Sequence, residues 1–390
     1  MKRIHIVITT LLLFLSTSTH AMKEIASPIE NPTHVKFLSN ATVAIGGTNG
    51  FCIHNIHTQK TAHFQPNDAI YDMCDNPSKT RLAVSCNGII TIYDIKTPTD
   101  KKTFDIKTLV PKITAEPIAI TFNSQNEHIL FMHDRFVLIA LNTTTDTAST
   151  LYSFCAPNNL TTPIPKRPII CHPLKEEVLF NSFCDCGHQF HCKIYTPQDI
   201  QALEYITYVK DYILNAVGSL QAIKVFNEIS SKWGLRLHPY PYHDFNAYIA
   251  CDTKNNAQCT AMAFHPQQNV LATLFDNHEL HYWDCKKINW STTKNKDKIK
   301  PYRTITLPEH CKAPTSTCYN GLSFSPNGKY LILALQDRCI LRNIAWDLCS
   351  AEKQKSLILV YWALRNQTDE TLLPQEIIQE CIRLLHCYKK

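Results

Sequence analysis

Short apolar segments separated by polar turns recur along most of the chain. Each copy predicts three β-strands: an alternating strand ending in a polar or proline turn, a more apolar strand, and a strand closed by Asp, Asn or Thr. The clearest copies are Ala69–Ile95, Cys259–Cys285 and Thr317–Ile344. Weaker copies are His34–Ile56, Pro117–Asn142 and Pro168–Thr196.

A three-stranded meander cannot bury both of its faces alone, whereas such sheets stacked around an axis can. The pattern therefore predicts an all-β ring of stacked sheets. The third strands close at Asn55, Asp94, Asn142, Thr196, Asp284 and Asn343. The interval between Thr196 and Asp284 is about two repeat lengths, so the number of sheets is six or seven.

The copy "FHPQQNVLATLFDNHELHYWD" resembles a repeat of the WD-repeat β-propeller family. It has Phe264 and Pro266 before the first turn, a tight turn at Asp276, and a closing Trp283-Asp284 pair. The copy "FSPNGKYLILALQDRCILRN" is similar, with Arg342-Asn343 in place of Trp-Asp, and a third copy closes with Tyr93-Asp94. The Gly-His pair that the family carries near the start of each repeat is absent.

The resemblance implies a propeller of four-stranded sheets over residues 22–345 and says little about function, because propellers carry many functions. Trp283 and Asp284 are interpreted as structural. The indole fills space between sheets, and the carboxylate accepts hydrogen bonds from a neighbouring turn.

Two segments depart from the strand pattern. In Gln198–Trp233, apolar residues recur every three or four positions, which predicts a helical insertion broken near Gly218. An alternative is that the span also holds a degenerate sheet, which would bring the number of sheets to seven. After Trp346, residues 346–390 predict a helical C-terminal tail, with Pro374 near the start of its last helix.

The first residues have the features of an export signal. Lys2 and Arg3 precede the apolar run Ile4–Leu15, and Thr19-His20-Ala21 places small residues before a cleavage position. The sequence predicts cleavage after Ala21, which makes the protein exported, either periplasmic or secreted, with no membrane association after cleavage. The alternative is a retained membrane anchor, for which the apolar run is short.

The segment "NSFCDCGHQFHC" holds a cluster of Cys and His side chains at Cys184–Cys192. The pattern predicts a hairpin with strands Val178–Phe183 and Gln189–Tyr195 and a turn at Cys184–His188. Export favours a disulfide that involves Cys184 or Cys186. The alternatives are free thiols, or a metal held by Cys184, Cys186 and His188, although their spacing is tighter than that of usual zinc ligands.

The 17 cysteines of the chain are an odd number, so at least one has no intramolecular disulfide. Some of them fit an interpretation as small buried apolar residues instead. The sequence does not determine the disulfide pattern.

Signatures of catalysis and of cofactor binding are absent: there is no phosphate-binding glycine loop, no serine elbow and no zinc-protease helix. We therefore predict no catalytic residue and no cofactor. The basic run Lys286–Lys300 is interpreted as a solvated loop rather than a nucleic-acid site, and His238–Phe245 as an ordered surface loop.

The leading hypothesis is a non-catalytic scaffold that binds proteins. The alternative is a hydrolase acting at the channel of the propeller, or a metal or redox protein that uses the Cys184–Cys192 cluster. A hydrolase would need carboxylates or His converging at the axis, and charged residues at sheet entrances such as Asp68 and Glu116 are few.

Overall fold

The computed structural model describes most of the chain, in segments. These are residues 22–25, 29–64, 68–111, 117–123, 128–133, 137–152, 169–183, 190–195, 200–202, 209–227, 232–240, 249–251, 257–287, 298–308, 321–344 and 348. Residues 24–341 form one compact unit. Residues 1–23 and 342–390 form a second unit, of which residues 22–23, 342–344 and 348 are described.

The described strands form seven sheets. The first strand, β1 (Met22–Ile25), belongs to the last sheet. Sheet 1 contains β2 (His34–Phe37), β3 (Thr42–Gly47), β4 (Gly50–Asn55) and β5 (Thr61–Phe64). Sheet 2 contains β6 (Asp72–Asp75), β7 (Arg81–Cys86), β8 (Ile89–Asp94) and β9 (Lys101–Asp105).

Sheets 3 and 4 repeat the same order. Sheet 3 contains β10 (Pro117–Phe122), β11 (His128–His133), β12 (Leu138–Asn142) and β13 (Thr147–Tyr152). Sheet 4 contains β14 (Ile169–Cys171), β15 (Val178–Phe183), β16 (Phe190–Tyr195) and β17 (Ile200–Ala202). The short helix α1 (Ile106–Leu109) precedes sheet 3, with the Asp105 side chain accepting hydrogen bonds at its N-terminus.

The remaining strands complete the series. Sheet 5 contains β18 (Val209–Leu214), β19 (Leu220–Asn227), β20 (Lys232–Pro239) and β21 (Ile249–Cys251). Sheet 6 contains β22 (Cys259–Phe264), β23 (Val270–Phe275), β24 (Glu279–Asp284) and β26 (Arg303–Thr306), and before β26 the strand β25 (Lys298–Ile299) pairs in parallel with β21. Sheet 7 contains β27 (Leu322–Phe324), β28 (Tyr330–Ala334), β29 (Cys339–Asn343) and β1.

Successive sheets pack face to face and close into a ring. The first strands of neighbouring sheets contact each other, and β27 packs on β2, so that sheet 7 contacts sheet 1. The exception is the contact between sheets 4 and 5, where β16 lies against β18. Three of the second strands are buried on both faces along nearly all of their length: in β23 every residue is buried, and in β3 and β7 all but the first. This is why these strands read as continuous apolar runs instead of alternating.

The apolar core is divided into clusters that each lie between two neighbouring sheets. Val35, Ile45 and Ile332 fill the contact between sheets 7 and 1. Phe51 and Met73 belong to the contact between sheets 1 and 2. Because each cluster joins two sheets, the ring is held by burial of apolar surface at every such contact.

The predicted helical insertion at Gln198–Trp233 is wrong for the part of it that is described. Residues 200–202, 209–214 and 220–227 are strands, and β20 begins at Lys232. In β19 the four consecutive residues 220–223 are all buried, and a strand buried on both faces lacks the alternation that distinguishes a strand from a helix. Gly218 lies in the β18–β19 turn with φ of +67°. Sheet 5 therefore supplies the seventh sheet that the sequence left open.

Two further predictions concern loops and the tail. Within the basic run Lys286–Lys300, the ends are structured: Cys285–Lys287 is a 3₁₀ turn and β25 is paired, while residues 288–297 lie outside the described part. The helical tail predicted for residues 346–390 lies outside the described residues except for residue 348, which is in a turn.

Candidate functional site

The predicted Cys and His hairpin is confirmed in its strands. β15 and β16 pair antiparallel, with Phe183 opposite Phe190 and Asn181 opposite Cys192. The candidate ligands Cys184, Cys186 and His188 lie outside the described residues. A disulfide or a metal at this turn therefore stays a prediction, which metal analysis and mass measurement with and without reduction can test.

Cysteines in the described part of the chain behave as small core residues. Cys52, Cys74, Cys171 and Cys285 carry free thiols, and all but Cys171 are buried. Burial raises the pKa of Cys52, Cys171 and Cys285 to about 12. Since the thiolate is the reactive form, these thiols are unreactive at neutral pH. Among the described residues, no group of three or more His, Cys, Asp or Glu could hold a metal ion.

Trp283 and Asp284 have the structural roles expected for them. Trp283 is completely buried in the core between sheets 5 and 6, and its Nε1 donates to Thr273 Oγ1 at 2.8 Å. Asp284 Oδ1 accepts from the Lys286 backbone N–H at 3.1 Å. The closing residue Asp94 likewise accepts from the N–H groups of Lys96 and Thr97, at 2.8 and 3.0 Å.

Ionisable side chains do gather on the first strands of sheets 1 and 2. His34 Nε2 lies 3.8 Å from Asp72 Oδ1, and Lys36 Nζ lies 3.4 Å from Asp75 Oδ1. Asp75 also pairs with Lys79. Burial of Asp75 acts to raise its pKa, but the ammonium groups of Lys36 and Lys79 outweigh it, and the pKa is lowered.

This cluster joins sheets to one another. Asp72 Oδ2 accepts from the Ile120 N–H of sheet 3 at 2.9 Å, while Oδ1 accepts from the Met73 N–H at 2.8 Å. The pairs with His34 and Lys36 connect sheet 1 to sheet 2. Of the charged residues named for a hydrolase, Asp68 accepts from Asn87 Nδ2 at 2.7 Å, and Glu116 lies outside the described residues. The carboxylates are thus engaged in structural contacts.

The turn between the first and second strands of a sheet follows one recurring design that the sequence did not reveal. In sheets 2 and 5 the residue that opens the turn is Asn76 or Asn215, and its backbone N–H donates to the carbonyl five residues later. Asn215 Oδ1 accepts from the N–H groups of Ser219 and Leu220, at 2.8 and 3.0 Å. The sequence did contain a signal for this design: in four copies, the residue that opens the turn is an Asn, His or Ser that directly precedes a proline.

Two of these turns are opened by histidine, and each histidine reaches the next sheet. His172 Nε2 lies 3.2 Å from the Gly218 carbonyl oxygen, and His265 Nε2 lies 3.1 Å from that of Gly328. His265 Nδ1 accepts from the N–H groups of Gln267 and Gln268, at 3.1 and 3.0 Å. This fixes a neutral imidazole whose Nε2–H donates to Gly328. Burial lowers the pKa of His172 and His265.

A cavity of about 350 Å³ lies between sheets 3 and 4. Its walls mix polar and apolar side chains from β11 to β13 and from the turn that begins at His172. The lining residues are Asn123, His128, Leu130, Ala140, Asn142, Thr147, Ser149, Leu151, Cys171, Lys175, Glu176, Glu177 and Val178.

The comparisons with known proteins concern the fold. No family model and no curated protein matches the chain. A crystal structure of the Cps50 (Swd1) β-propeller domain of Myceliophteria thermophila matches with a TM-score of 0.59 and 13% identity, over 83% of this chain and 100% of that one. A chain of a mitotic checkpoint complex matches with a TM-score of 0.59 and 10% identity, over 83% and 91%.

The fold is a WD-repeat-type β-propeller. The closed ring of sheets and the similarity to solved propellers together confirm the fold that the repeats predicted. In this propeller, the turns between first and second strands and between third and fourth strands leave one edge of the ring, called here the turn edge. β15 ends and β16 begins at the opposite edge.

Outside the ring contacts, two further observations bear on candidate sites. His238, predicted to lie in a surface loop, is buried near the end of β20, and burial lowers its pKa to about 4. Residues 241–245 of the same predicted loop lie outside the described part. In the part of the chain that the structure describes, no helix is long and apolar enough to cross a membrane.

Proposed function

We propose that this propeller is an exported, non-catalytic scaffold that binds other proteins. The observation that carries the proposal is that the ionisable groups on the first strands of sheets 1 and 2 form contacts between sheets. His34, Lys36, Asp72 and Asp75 contact neighbouring sheets and so stabilise the ring itself. The surface left for function is then the exposed turns on a rigid body, which suits recognition of a protein.

The similar structures support a protein partner at the level of the fold. One matched chain was solved as part of a mitotic checkpoint complex, which shows this fold within a protein assembly. The identities of 13% and 10% carry no partner over to this chain.

The position of β1 supports the export part of the proposal. Cleavage after Ala21 would remove only residues before Met22, the first residue of β1. The mature chain would keep every described strand of sheet 7.

The experiment is chemical cross-linking in the native compartment, followed by affinity purification of the tagged protein under denaturing conditions. We expect one or more proteins to be cross-linked reproducibly, at yields well above those of an unrelated exported control. If repeated cross-linking returns no partner, the scaffold proposal fails. Fractionation of the same cells tests export separately, because cytosolic recovery of the full-length chain would contradict it.

A further inference from the structure

Two apolar side chains are strongly exposed on neighbouring turns of the turn edge. Leu174 is 70% exposed on the first turn of sheet 4, and Val217 is 57% exposed on the first turn of sheet 5. In the described part of the chain, Tyr302, at 38%, is the other large exposed apolar residue. Exposed apolar residues that lie side by side mark interaction sites more often than single ones.

Hydrogen bonds and a ring contact connect the two turns. The His172 ring contacts the Gly218 carbonyl oxygen at 3.2 Å, and the Tyr240 N–H donates to the Ser219 carbonyl at 2.8 Å. Tyr240 Oη donates to Glu177 Oε2 at 2.7 Å. The rings of His172 and Tyr240 lie 5.1 Å apart. Leu174 and Val217 are therefore presented by fixed backbone, which lowers the entropic cost of binding.

The protein contains a matched pair of turns without the apolar residues. Sheets 6 and 7 have the same turns joined by the same contact, from His265 to Gly328. The positions equivalent to Leu174 and Val217 there are Gln267 and Asn327. The turn design thus does not require apolar side chains at these positions, and their exposure in sheets 4 and 5 calls for a reason other than folding.

A cavity adjoins this surface. Lys175, Glu176 and Glu177 follow Leu174 in the same turn and line the cavity of about 350 Å³ between sheets 3 and 4. An apolar anchor beside a cavity of mixed lining is an arrangement that can receive a side chain from a partner.

The charges of the turn edge indicate the kind of partner. The exposed charged side chains of the described turns at this edge are Lys60, Lys79, Lys96, Lys175, Lys286, Lys300 and Lys329, against Asp100, Asp146 and Glu176. At the opposite edge the described turns and α1 expose Glu30, Asp276 and Asp337 against Lys107. Among the described turns, those of the turn edge are therefore the more positive, and they favour a negatively charged partner.

We propose that Leu174, Val217 and the adjoining cavity form a docking surface for a segment of a partner protein whose apolar core is flanked by carboxylates. This proposal rests on the scaffold function above and names the chemistry of its partner. The apolar core packs on Leu174 and Val217, and the flanking carboxylates interact with lysines of the turn edge.

The test measures fluorescence anisotropy of labelled synthetic peptides titrated with the full-length mature protein. One peptide has a leucine and phenylalanine core between glutamates, a second has the same core between lysines, and a third has a glycine and serine core between glutamates. The variant is Leu174→Gln with Val217→Asn, which installs residues similar or identical to those of the matched turns. The control is Gln267→Ala on the equivalent turn of sheet 6. Thermal unfolding checks that both remain folded.

We expect the first peptide to bind best, and the double variant to bind it roughly tenfold more weakly while Gln267→Ala leaves binding unchanged. Undetectable binding of the first peptide, equal binding by the double variant, or preference for the lysine peptide overturns the proposal. So does binding of the protein to vesicles containing phosphatidylserine but not to the peptide. If cross-linking still returns partners with the double variant, the scaffold function stands and the docking surface is wrong.

Discussion

Two glycines illustrate how single residues fix the contact between neighbouring sheets. Gly218 and Gly328 have φ of +67° and +68°, a region that other residues adopt at a cost. In addition, a Cβ on Gly218 would overlap the ring of His172, and one on Gly328 would overlap that of His265. Both the backbone and the histidine contact therefore require glycine.

The backbone conformation alone makes alanine at position 218 unfavourable by about 1 kcal/mol. We predict that Gly218→Ala lowers the free energy of unfolding by more than this, because the new Cβ also overlaps the His172 ring. Gly88→Ala is the matched control, because Gly88 has φ of +76° but a Cβ there would meet only Lys107 Cε, at 3.4 Å. Urea denaturation of the two variants measures the difference. Equal losses would show that the His172 contact adds nothing.

His265 makes stability depend on pH. Burial lowers its folded pKa, although the hydrogen bond to Gly328 acts in the opposite direction. Above the unfolded pKa of about 6.5 the imidazole is neutral in both states, and its contribution to stability is complete. As the pH falls below 6.5 the unfolded state binds a proton first, so stability declines until the pH has passed through the folded pKa.

We predict that His265→Asn flattens this decline. Asparagine opens the equivalent turns of sheets 2 and 5, so it can accept the turn N–H groups without titrating. Losing the bond to Gly328 costs about 1 kcal/mol at pH 8, but the further loss between pH 8 and pH 5 becomes smaller. His172 and His238 keep part of the dependence, since their pKa values are also lowered. Parallel stability curves for variant and wild type would contradict the assignment.

At the scale of elements, the sequence was informative where turns are marked and misleading where strands are buried on both faces. Val178–Phe183 was predicted as a strand with its observed bounds, because Asp185 and Gly187 mark the turn after it. Asn55, Asp94 and Asp284 end third strands as predicted, since each side chain accepts N–H groups of the next turn. Sheet 5 was mistaken for helices because Val209–Leu214 and Leu220–Asn227 show no alternation.

The candidate docking surface could not be predicted from the pattern, for a related reason. Leu174 and Val217 look like ordinary apolar residues near strand ends, and their exposure depends on which turn each occupies. Contacts between residues far apart in sequence bring the two turns together, such as that of His172 with Gly218, 46 positions later, and that of Tyr240 with Glu177.

The turn element yields a prediction of its own. Asn215 is buried, and its Oδ1 and Nδ2 bond the turn that joins β18 to β19. Asn215→Ala removes the acceptor of the Ser219 and Leu220 N–H groups, of which that of Leu220 is buried, and should cost about 1–3 kcal/mol in the free energy of unfolding. Asn215→Ser should cost less, because Ser325 opens the turn of sheet 7 and accepts from the Tyr330 N–H at 2.9 Å. Denaturant titration compares them, and equal losses would contradict the role of the side-chain acceptor.

At the scale of the whole molecule, closure of the ring depends on residues near the predicted cleavage position. Ile25 is 1% exposed and packs with Val35, Ile332 and Leu341 in the core between sheets 7 and 1. Glu24 pairs with Arg338 at 3.2 Å. We predict that Ile25→Ala lowers the free energy of unfolding by about 2–4 kcal/mol, measured by urea denaturation. Glu24→Gln, which affects an exposed ion pair, should cost less than about 1 kcal/mol.

This dependence restricts where the export signal can be cut. Cleavage after Ala21 leaves β1 whole. Cleavage beyond Ile25 would remove β1, the edge strand of sheet 7, and expose the core between sheets 7 and 1. We therefore expect intact mass measurement of the exported protein to give a chain that begins at Met22 and unfolds cooperatively. A mature chain that begins after Ile25 and is equally stable would show that β1 does not close the ring. Recovery of the full-length chain would contradict the predicted signal while leaving the fold unchanged.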